Sequence, residues 1–155
     1  MERKIFEDLQ RKTLKCFEYF NKAPIIECFL INPLGEKQPV DEPLIVEIDT
    51  GYDGHVLISE HLYHKLKLFK FELPEEKQPI IETASHEYIR AKAAYGFLEI
   101  PSLNLKIRTQ IETFEDCQEM LIGREILSNL IIILHGTLKN YVFLSKYDFI
   151  TLFQV

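Results

Sequence analysis

A short stretch of the sequence carries the residue types that acid–base catalysis needs. Asp49, Thr50 and Gly51 follow residues 44–48, an apolar segment with the composition of a strand. The glycine permits a sharp turn directly after the acid, and the end of a strand is a rigid platform on which functional side chains gather. A carboxylate in this place is suited to proton transfer. Taken alone, the three residues are explained equally well by an aspartate turn that simply ends a strand.

A second stretch, residues 120–127, combines an apolar run with a glycine and an arginine. Leu121 and Ile122 precede Gly123, and Arg124 opens a segment typical of a short helix. Alone, this pattern is also typical of an ordinary buried strand that turns into a helix. The two stretches in this order, separated by the length of one small domain, are much more specific than either one alone.

Together the two stretches resemble the signatures of the retropepsin-like aspartic proteases, a family that includes the retroviral proteases and small cellular or microbial relatives. The first signature of that family is an apolar strand ending in D-T-G, here residues 46–51. The second is two apolar residues, a glycine and an arginine before a short helix, here residues 121–124 and then 125–130. The resemblance runs from about residue 25 to residue 144.

The resemblance implies a role for each matching residue. Asp49 is the catalytic carboxylate, and Thr50 uses its hydroxyl to bond across a dimer axis. Gly51 lets the substrate backbone approach closely, and Gly123 packs beneath the active loop where a side chain would not fit. Asp53 contacts the substrate backbone and forms an ion pair with the arginine of the second motif, Arg124.

The resemblance also places a flap, the hairpin that closes over the substrate, at residues 80–94. Its tip would be formed by four residues: Thr83, Ala84, Ser85 and His86. Family members usually have a glycine at this tip, whereas this chain has a histidine. Tyr52 stands where retroviral members have a small residue, and its larger side chain would either narrow the pocket or pack sideways.

The chemistry of peptide hydrolysis by carboxylates agrees with this assignment. It requires two of them close together, one protonated and one ionised, because two like charges at that distance share a proton. The ionised carboxylate takes a proton from water while the protonated one polarises the scissile carbonyl. The chain contains one D-T-G. The sequence therefore predicts an aspartic endopeptidase that acts on a peptide or protein substrate as a homodimer, with two copies of Asp49 on the twofold axis.

Two other functions remain open at this point. The first is a dimeric module on the same fold that binds a peptide or partner without cutting it. The missing tip glycine and the presence of Tyr52 suggest this alternative. A pure scaffold has no chemical need for an acid at position 49, which argues against that function. The second is a structural subunit whose N-terminal segment drives assembly.

Other catalytic chemistries have little support in the sequence. His61 and His64 are three residues apart on a predicted helix, but no glutamate or cysteine completes a zinc-ligand pattern around them. Neither a metal nor another cofactor is expected. No G-x-S-x-G occurs, and Cys117 lies among acidic residues that disfavour a thiolate.

Composition limits the partners and the compartment. The net charge of -6 makes general affinity for nucleic acid or an anionic membrane surface improbable. No apolar run reaches the length of a membrane span, and residues 1–12 lack the apolar core of a secretory signal. The 3 cysteines are odd in number and far apart. We therefore expect a cytoplasmic protein with reduced thiols that binds neither nucleic acid nor membranes.

The pattern of the whole chain predicts the elements that position these residues. The spacing of apolar side chains predicts a helix over residues 1–21, which makes residues 1–23 a helical extension and residues 24–155 the protease-like domain. Many short strands with one short helix near the second motif favour a mainly β, closed or partly open barrel of the retropepsin-like type. Strands are predicted at 25–31, 44–48, 56–58, 80–83, 88–94, 97–100, 103–111, 131–134, 141–144 and 149–153.

Overall fold

Short strands with buried apolar faces account for most of the structure. The computed structural model describes residues 15–137 and 140–145. In this part of the chain the strands are β1 (Lys15–Glu18), β2 (Ile25–Ile31), β3 (Lys37–Gln38), β4 (Leu44–Ile48), β5 (Val56–Leu57), β6 (Ile80–Glu82), β7 (Tyr88–Arg90), β8 (Lys92–Ile100), β9 (Leu105–Thr113), β10 (Leu121–Ile122), β11 (Leu130–His135) and β12 (Asn140–Ser145). The α-helices there are α1 (Glu60–Lys65) and α2 (Arg124–Leu127).

Six of these strands close into a barrel. Their order is β2, β4, β10, β5, β9 and β8, and the barrel closes because β8 pairs with β2. The short strand β3 pairs with the end of β2. The predicted mainly β architecture with a closed or partly open barrel is therefore confirmed, and the barrel is closed.

Alternation of side chains along the strands builds the core. In β2, the side chains of Ile26, Cys28 and Leu30 are fully buried, while Glu27 between them is exposed. In β4, the last residue before the candidate acid, Ile48, belongs to the same apolar core. The strand that carries Asp49 is thus anchored in the core up to the residue that precedes the acid.

Strands β4 and β10 bring the two sequence motifs side by side. They pair in parallel, with Leu121 opposite Glu47 and Ile122 opposite Ile48. Because parallel strands run in the same direction, the residues that follow them leave the barrel at the same edge. Asp49 follows β4 and Gly123 follows β10, so the pairing itself places both motifs at one site.

A second sheet, in the order β1, β12, β11, corrects the prediction for the N-terminal segment. The predicted helix over residues 1–21 is wrong for Lys15–Glu18, which form β1 antiparallel to β12. Pairing with β12 satisfies the backbone of this segment, and the ring of Phe17 stacks on Tyr141 with centroids 5.4 Å apart. Residues 1–14 and the strand predicted at 149–153 lie outside the described residues, and the boundary at residue 23 stays a prediction.

The helix predicted after Ser59 is present as α1. The Ser59 hydroxyl accepts a hydrogen bond from the Leu62 amide at 3.3 Å, which caps the helix. The helix ends at Lys65, and Lys67 shortly after it adopts a left-handed conformation with φ of 56°. None of the helices in residues 15–137 and 140–145 is long and apolar enough to cross a membrane.

Candidate active site

The D-T-G turn holds its own acid in place. The Asp49 amide donates to the Ile122 carbonyl at 3.0 Å, and the Gly51 amide donates to Asp49 Oδ1 at 2.8 Å. A Cβ on Gly51 would lie 3.1 Å from that same oxygen, so a larger residue would crowd the carboxylate. Asp49 is half-buried, whereas Thr50 and Gly51 are exposed. The turn therefore orients a carboxylate by a hydrogen bond that is strengthened by the charge of the acceptor.

The second motif fastens the rest of the active loop, residues 49–55. The amide of Arg124 donates to the Tyr52 carbonyl at 2.8 Å, and the amide of Gly123 donates to the His55 carbonyl at 2.8 Å. The amide of Glu125 donates to the carbonyl of Gly54 at 3.2 Å. These backbone bonds, together with the bond from Asp49 to Ile122, attach the loop to β10 and to the start of α2.

Close packing at Gly123 leaves no room for a side chain. A Cβ there would lie 2.6 Å from Cδ1 of Tyr52 and 2.8 Å from the Tyr52 carbonyl oxygen. Real Cβ atoms do not approach other atoms so closely, so any other residue would push the loop away from the strand. Gly123 thus lies beneath the active loop, at the position where the sequence predicted such a contact.

The predicted ion pair of Asp53 and Arg124 is formed but not buried. Arg124 Nη2 lies 3.8 Å from Asp53 Oδ2, and the two side chains are 61% and 80% exposed, respectively. In a single subunit this ion pair is exposed to solvent. An exposed pair of this kind contributes up to about 1 kcal/mol.

A buried polar cluster, which the sequence pattern does not predict, supports the loop from the barrel wall. Glu112, on β9, is 1% exposed. Its Oε2 accepts a hydrogen bond from the Tyr52 hydroxyl, and its Oε1 lies 3.2 Å from Nδ1 of His55. Burial, and then the nearby charge of Glu112, raise the pKa of Tyr52 far above its usual range, so the hydroxyl remains a donor.

The alternating sequence pattern of β9 does not reveal that Glu112 is buried. Glu112 continues the alternation of Lys106, Arg108 and Gln110, which is typical of an outward-facing strand position. The active loop covers that face of β9, so the carboxylate is buried against Tyr52 and Gly54; a Cβ on Gly54 would lie 2.5 Å from Glu112 Oε2. Tyr52 is itself 8% exposed and packs sideways against Glu112, and it also lines the cleft beside Asp49.

A hairpin is present where the sequence predicted the flap. Strands β6 and β7 pair antiparallel, with Glu82 opposite Tyr88. The segment 88–94, predicted as a single strand, is divided into β7 and β8 at Ala91, which is buried and donates its amide to the Pro79 carbonyl at 2.9 Å. This break separates the hairpin from the barrel strand β8.

The tip of the hairpin closes without a glycine. The amide of Thr83 donates to the Glu87 carbonyl at 2.9 Å, and the amide of His86 donates to the Thr83 carbonyl at 2.9 Å. His86 adopts a left-handed φ of 63°, a conformation that glycine would accept at no steric cost. Its Nδ1 lies 2.8 Å from Oε1 of Glu82. Ala84 and Ser85 are exposed at the turn.

The active loop and the hairpin line one cleft of about 1280 Å³. Asp49 and Gly51 come from the loop, residues 80–86 from the hairpin, and Leu121 from β10. Polar and apolar side chains contribute to the lining in similar numbers. The cleft therefore has room for a peptide segment directly beside the Asp49 carboxylate.

Among the described residues, the cysteines and histidines outside the active loop and the hairpin do not form a second site. Burial raises the pKa of the Cys117 thiol, and it raises that of Cys28 to about 12, so both thiols disfavour the reactive thiolate. His61 and His64 are exposed on α1. In the part of the chain that the structure describes, no group of three His, Cys, Asp or Glu side chains is arranged to hold a metal ion.

Comparison with known proteins gives one sequence relative and a structural likeness. No family model matches the chain. An uncharacterized protein of Archaeoglobus fulgidus is 29% identical over 124 residues, which cover 79% of this chain and 94% of that protein. The retroviral protease-like domain of Ddi1 from Leishmania major has a TM-score of 0.47 and 9% identity, over 81% of this chain and 97% of that one.

The EIAV protease complexed with the inhibitor HBY-793 has a TM-score of 0.50 with 19% identity. The match covers 72% of this chain and 91% of the EIAV protease chain. At this identity the likeness shows the fold alone. The chain therefore has the fold of a retroviral protease, and Asp49 lies in a cleft of that fold between the fastened loop and the hairpin.

Proposed function

We propose that the protein is an aspartic endopeptidase that works as a homodimer, with one Asp49 from each subunit. The observation that carries this proposal is the position of Asp49. Its carboxylate is oriented by the Gly51 amide, lies at the end of a core strand, and borders a cleft that is also lined by the hairpin of residues 80–90. The likeness to a protease supports the proposal through the fold.

A second copy of the chain is needed because acid catalysis of this kind uses two carboxylates. Each subunit contributes one D-T-G, and Thr50 and Gly51 are exposed beside Asp49, which leaves this face accessible to a partner. A twofold axis through this face would bring two identical acids together. Thr50 would then hydrogen-bond across the axis and hold the two active loops in register.

The paired carboxylates share one proton. The ionised one accepts a proton from a water molecule, whose oxygen attacks the scissile carbonyl carbon, while the protonated one donates to the carbonyl oxygen. Collapse of the tetrahedral intermediate breaks the C–N bond: the leaving nitrogen receives the proton that the first carboxylate took from water, and a hydroxyl of the intermediate returns its proton to the second carboxylate. The substrate is a peptide or protein segment, no cofactor takes part, and we expect the reaction to occur in the cytoplasm.

The direct test is Asp49→Asn. The wild-type protein should cleave members of a diverse peptide pool between acidic and neutral pH, and a statine-type inhibitor should block the cleavage. Asp49→Asn should abolish cleavage, because an amide cannot take the proton from water, while the folded state is retained. Undiminished cleavage by the variant would refute the assignment. Asp41→Asn, a change at an exposed aspartate outside the cleft, is the matched control and should keep full activity.

The non-catalytic alternative draws no support from the two features that suggested it. Tyr52 packs against the barrel wall and donates to Glu112, which gives its size a structural reason. The hairpin tip closes with His86 in place of glycine. A binding module would bind peptides equally well in the wild-type protein and in Asp49→Asn, and would cut them in neither.

A further inference from the structure

The charges that line the cleft are strongly unbalanced. Besides Asp49, four acidic side chains face it: Glu47, Asp53, Glu82 and Glu119. The cationic side chains are Arg124 and, when protonated, His86. Asp53 lies 3.8 Å from Arg124, and Glu82 lies 2.8 Å from the His86 ring. Among the described residues, no cation lies within ion-pair distance of the other two acids, Glu47 and Glu119.

The two unpaired acids lie beside Asp49 on the strand side of the cleft. Glu47 is two residues before Asp49, so the two side chains share a face of the chain and are spaced by roughly 7 Å. Leu121 is the neighbour of Glu47 on β10 and also lines the cleft. Glu119 precedes Leu121 by two residues and reaches the same space. Both glutamates are exposed to solvent.

The cleft also has an apolar part. Leu57, Ile81, Leu121 and Phe114 line it and belong to one apolar cluster. Lysine and arginine pack their aliphatic stems on apolar surface while the charged head reaches a polar partner. A cleft lined by both apolar side chains and carboxylates suits such a side chain. A purely apolar substrate side chain would pack against the apolar lining but would leave the acids unpaired.

Closure of the hairpin over a substrate would remove Glu47 and Glu119 from water. Burying an unpaired carboxylate is costly, whereas burying it with a cation that also forms hydrogen bonds recovers much of the loss. A substrate that supplies a cation is therefore the one over which this cleft closes most favourably.

We propose that this cleft selects peptides with a lysine or arginine next to the bond that is cut, and that Glu47 and Glu119 are the residues that determine this specificity. The inference rests on the proposed function and adds the substrate class to it. The same charges attract cationic peptides from a distance, so the preference weakens as salt screens them.

The test uses matched peptides that differ in charge at one position near the scissile bond. Lysine is compared with norleucine and arginine with citrulline, which keep the length and remove the charge. The wild-type protein should show a kcat/KM at least about tenfold higher for the charged peptides at low salt, the size expected for one partly shielded ion pair. The ratio should fall when salt is raised.

Substitutions of Glu47 and Glu119 test whether these two residues cause the preference for cationic peptides. In Glu47→Gln/Glu119→Gln, the ratio of charged to neutral peptide should fall towards one. Glu47→Lys should reverse it, so that a glutamate peptide is cut faster than its lysine counterpart. Glu76→Gln removes an exposed acid outside the cleft and should leave the wild-type ratio unchanged.

The inference and the proposed function can fail separately. If the wild-type protein cuts neutral peptides as fast as charged ones and Asp49→Asn cuts none, the inference is overturned and the proposed function stands. If the wild-type protein cuts no peptide, the proposed function fails, and the affinity of the same peptides for Asp49→Asn decides the inference. Tighter binding of lysine than of norleucine peptides, lost in Glu47→Gln/Glu119→Gln, supports it, and equal binding overturns it.

Discussion

At the scale of single residues, the hydrogen bond from Tyr52 to Glu112 joins the active loop to the barrel wall. Removing the hydroxyl in Tyr52→Phe leaves one oxygen of a buried carboxylate without its donor. Leaving a buried acceptor without its donor costs about 1–3 kcal/mol. The free energy of unfolding measured in urea should therefore fall by that amount.

The matched control is Tyr88→Phe, which removes a hydroxyl from a side chain that is 73% exposed. Substitutions at such surface positions usually change stability by less than about 0.5 kcal/mol. Equal losses in the two variants, or no loss in Tyr52→Phe, would contradict a structural role for the buried cluster.

His86, at the tip of the hairpin, has a strained backbone conformation. A residue with a Cβ in the left-handed region costs about 1–2 kcal/mol relative to glycine. His86→Gly and His86→Ala both remove the contact with Glu82, but only the glycine variant removes the strain. The hairpin should therefore be more stable in His86→Gly than in His86→Ala by about 1 kcal/mol.

Amide hydrogen exchange of Thr83, whose N–H donates across the tip to the Glu87 carbonyl, reports this local stability. Slower exchange in the glycine variant is the expected result. Exchange at the same rate in both variants would show that the left-handed conformation is not populated in solution.

Single residues also show where prediction from sequence succeeds. The place of Asp49 is predictable because a strand, an acid and a turn glycine are contiguous in the chain. The burial of Glu112 depends on which loop covers β9, a non-local contact that an alternating pattern cannot reveal. For the same reason, the sequence does not show that Glu47 and Glu119 line one cleft, because they come together only when β10 pairs with β4.

At the scale of elements, the contact of α2 and β10 with the active loop depends on the absence of a side chain at Gly123. In Gly123→Ala, the new Cβ would meet the Tyr52 carbonyl oxygen at 2.8 Å, so the loop must move. Backbone displacement from such a substitution costs about 1–3 kcal/mol. We expect a loss of stability of that size together with loss of cleavage.

Gly136→Ala is the control, because a Cβ there meets no atom within 4 Å. It should change stability by less than about 0.5 kcal/mol. If Gly123→Ala is as stable and as active as Gly136→Ala, the packing of the second motif under the loop is not needed for function.

Elements differ in how well their sequence pattern identifies them. The strands β2 and β4 are bounded by turn residues and agree with the prediction to the residue. The segment Lys15–Glu18 has apolar side chains at spacings that suit a helix, yet β12 offers it a strand partner, and this tertiary contact decides its conformation. The break at Ala91 likewise follows from a hydrogen bond to a distant residue, Pro79.

At the scale of the whole molecule, the site of one subunit is half of the proposed machinery. One subunit supplies one oriented acid, one hairpin and one exposed turn, and the chemistry needs two acids. The presence of one D-T-G per chain predicts a dimer from the sequence alone. The residues that form the dimer interface depend on surfaces that no local sequence pattern encodes. The exposed ion pair of Asp53 and Arg124 lies near the same face and would gain strength if a second copy covered it.

A subunit-mixing experiment tests whether two subunits share one catalytic pair. Wild-type protein and Asp49→Asn are mixed in equal amounts, unfolded and refolded together, and the cleavage rate is compared with that of the same proteins refolded separately and then combined. Random pairing should leave about a quarter of the wild-type activity per total protein, because only dimers with two aspartates are active. Activity of about half after joint refolding would mean that each subunit works alone, and would contradict the shared pair.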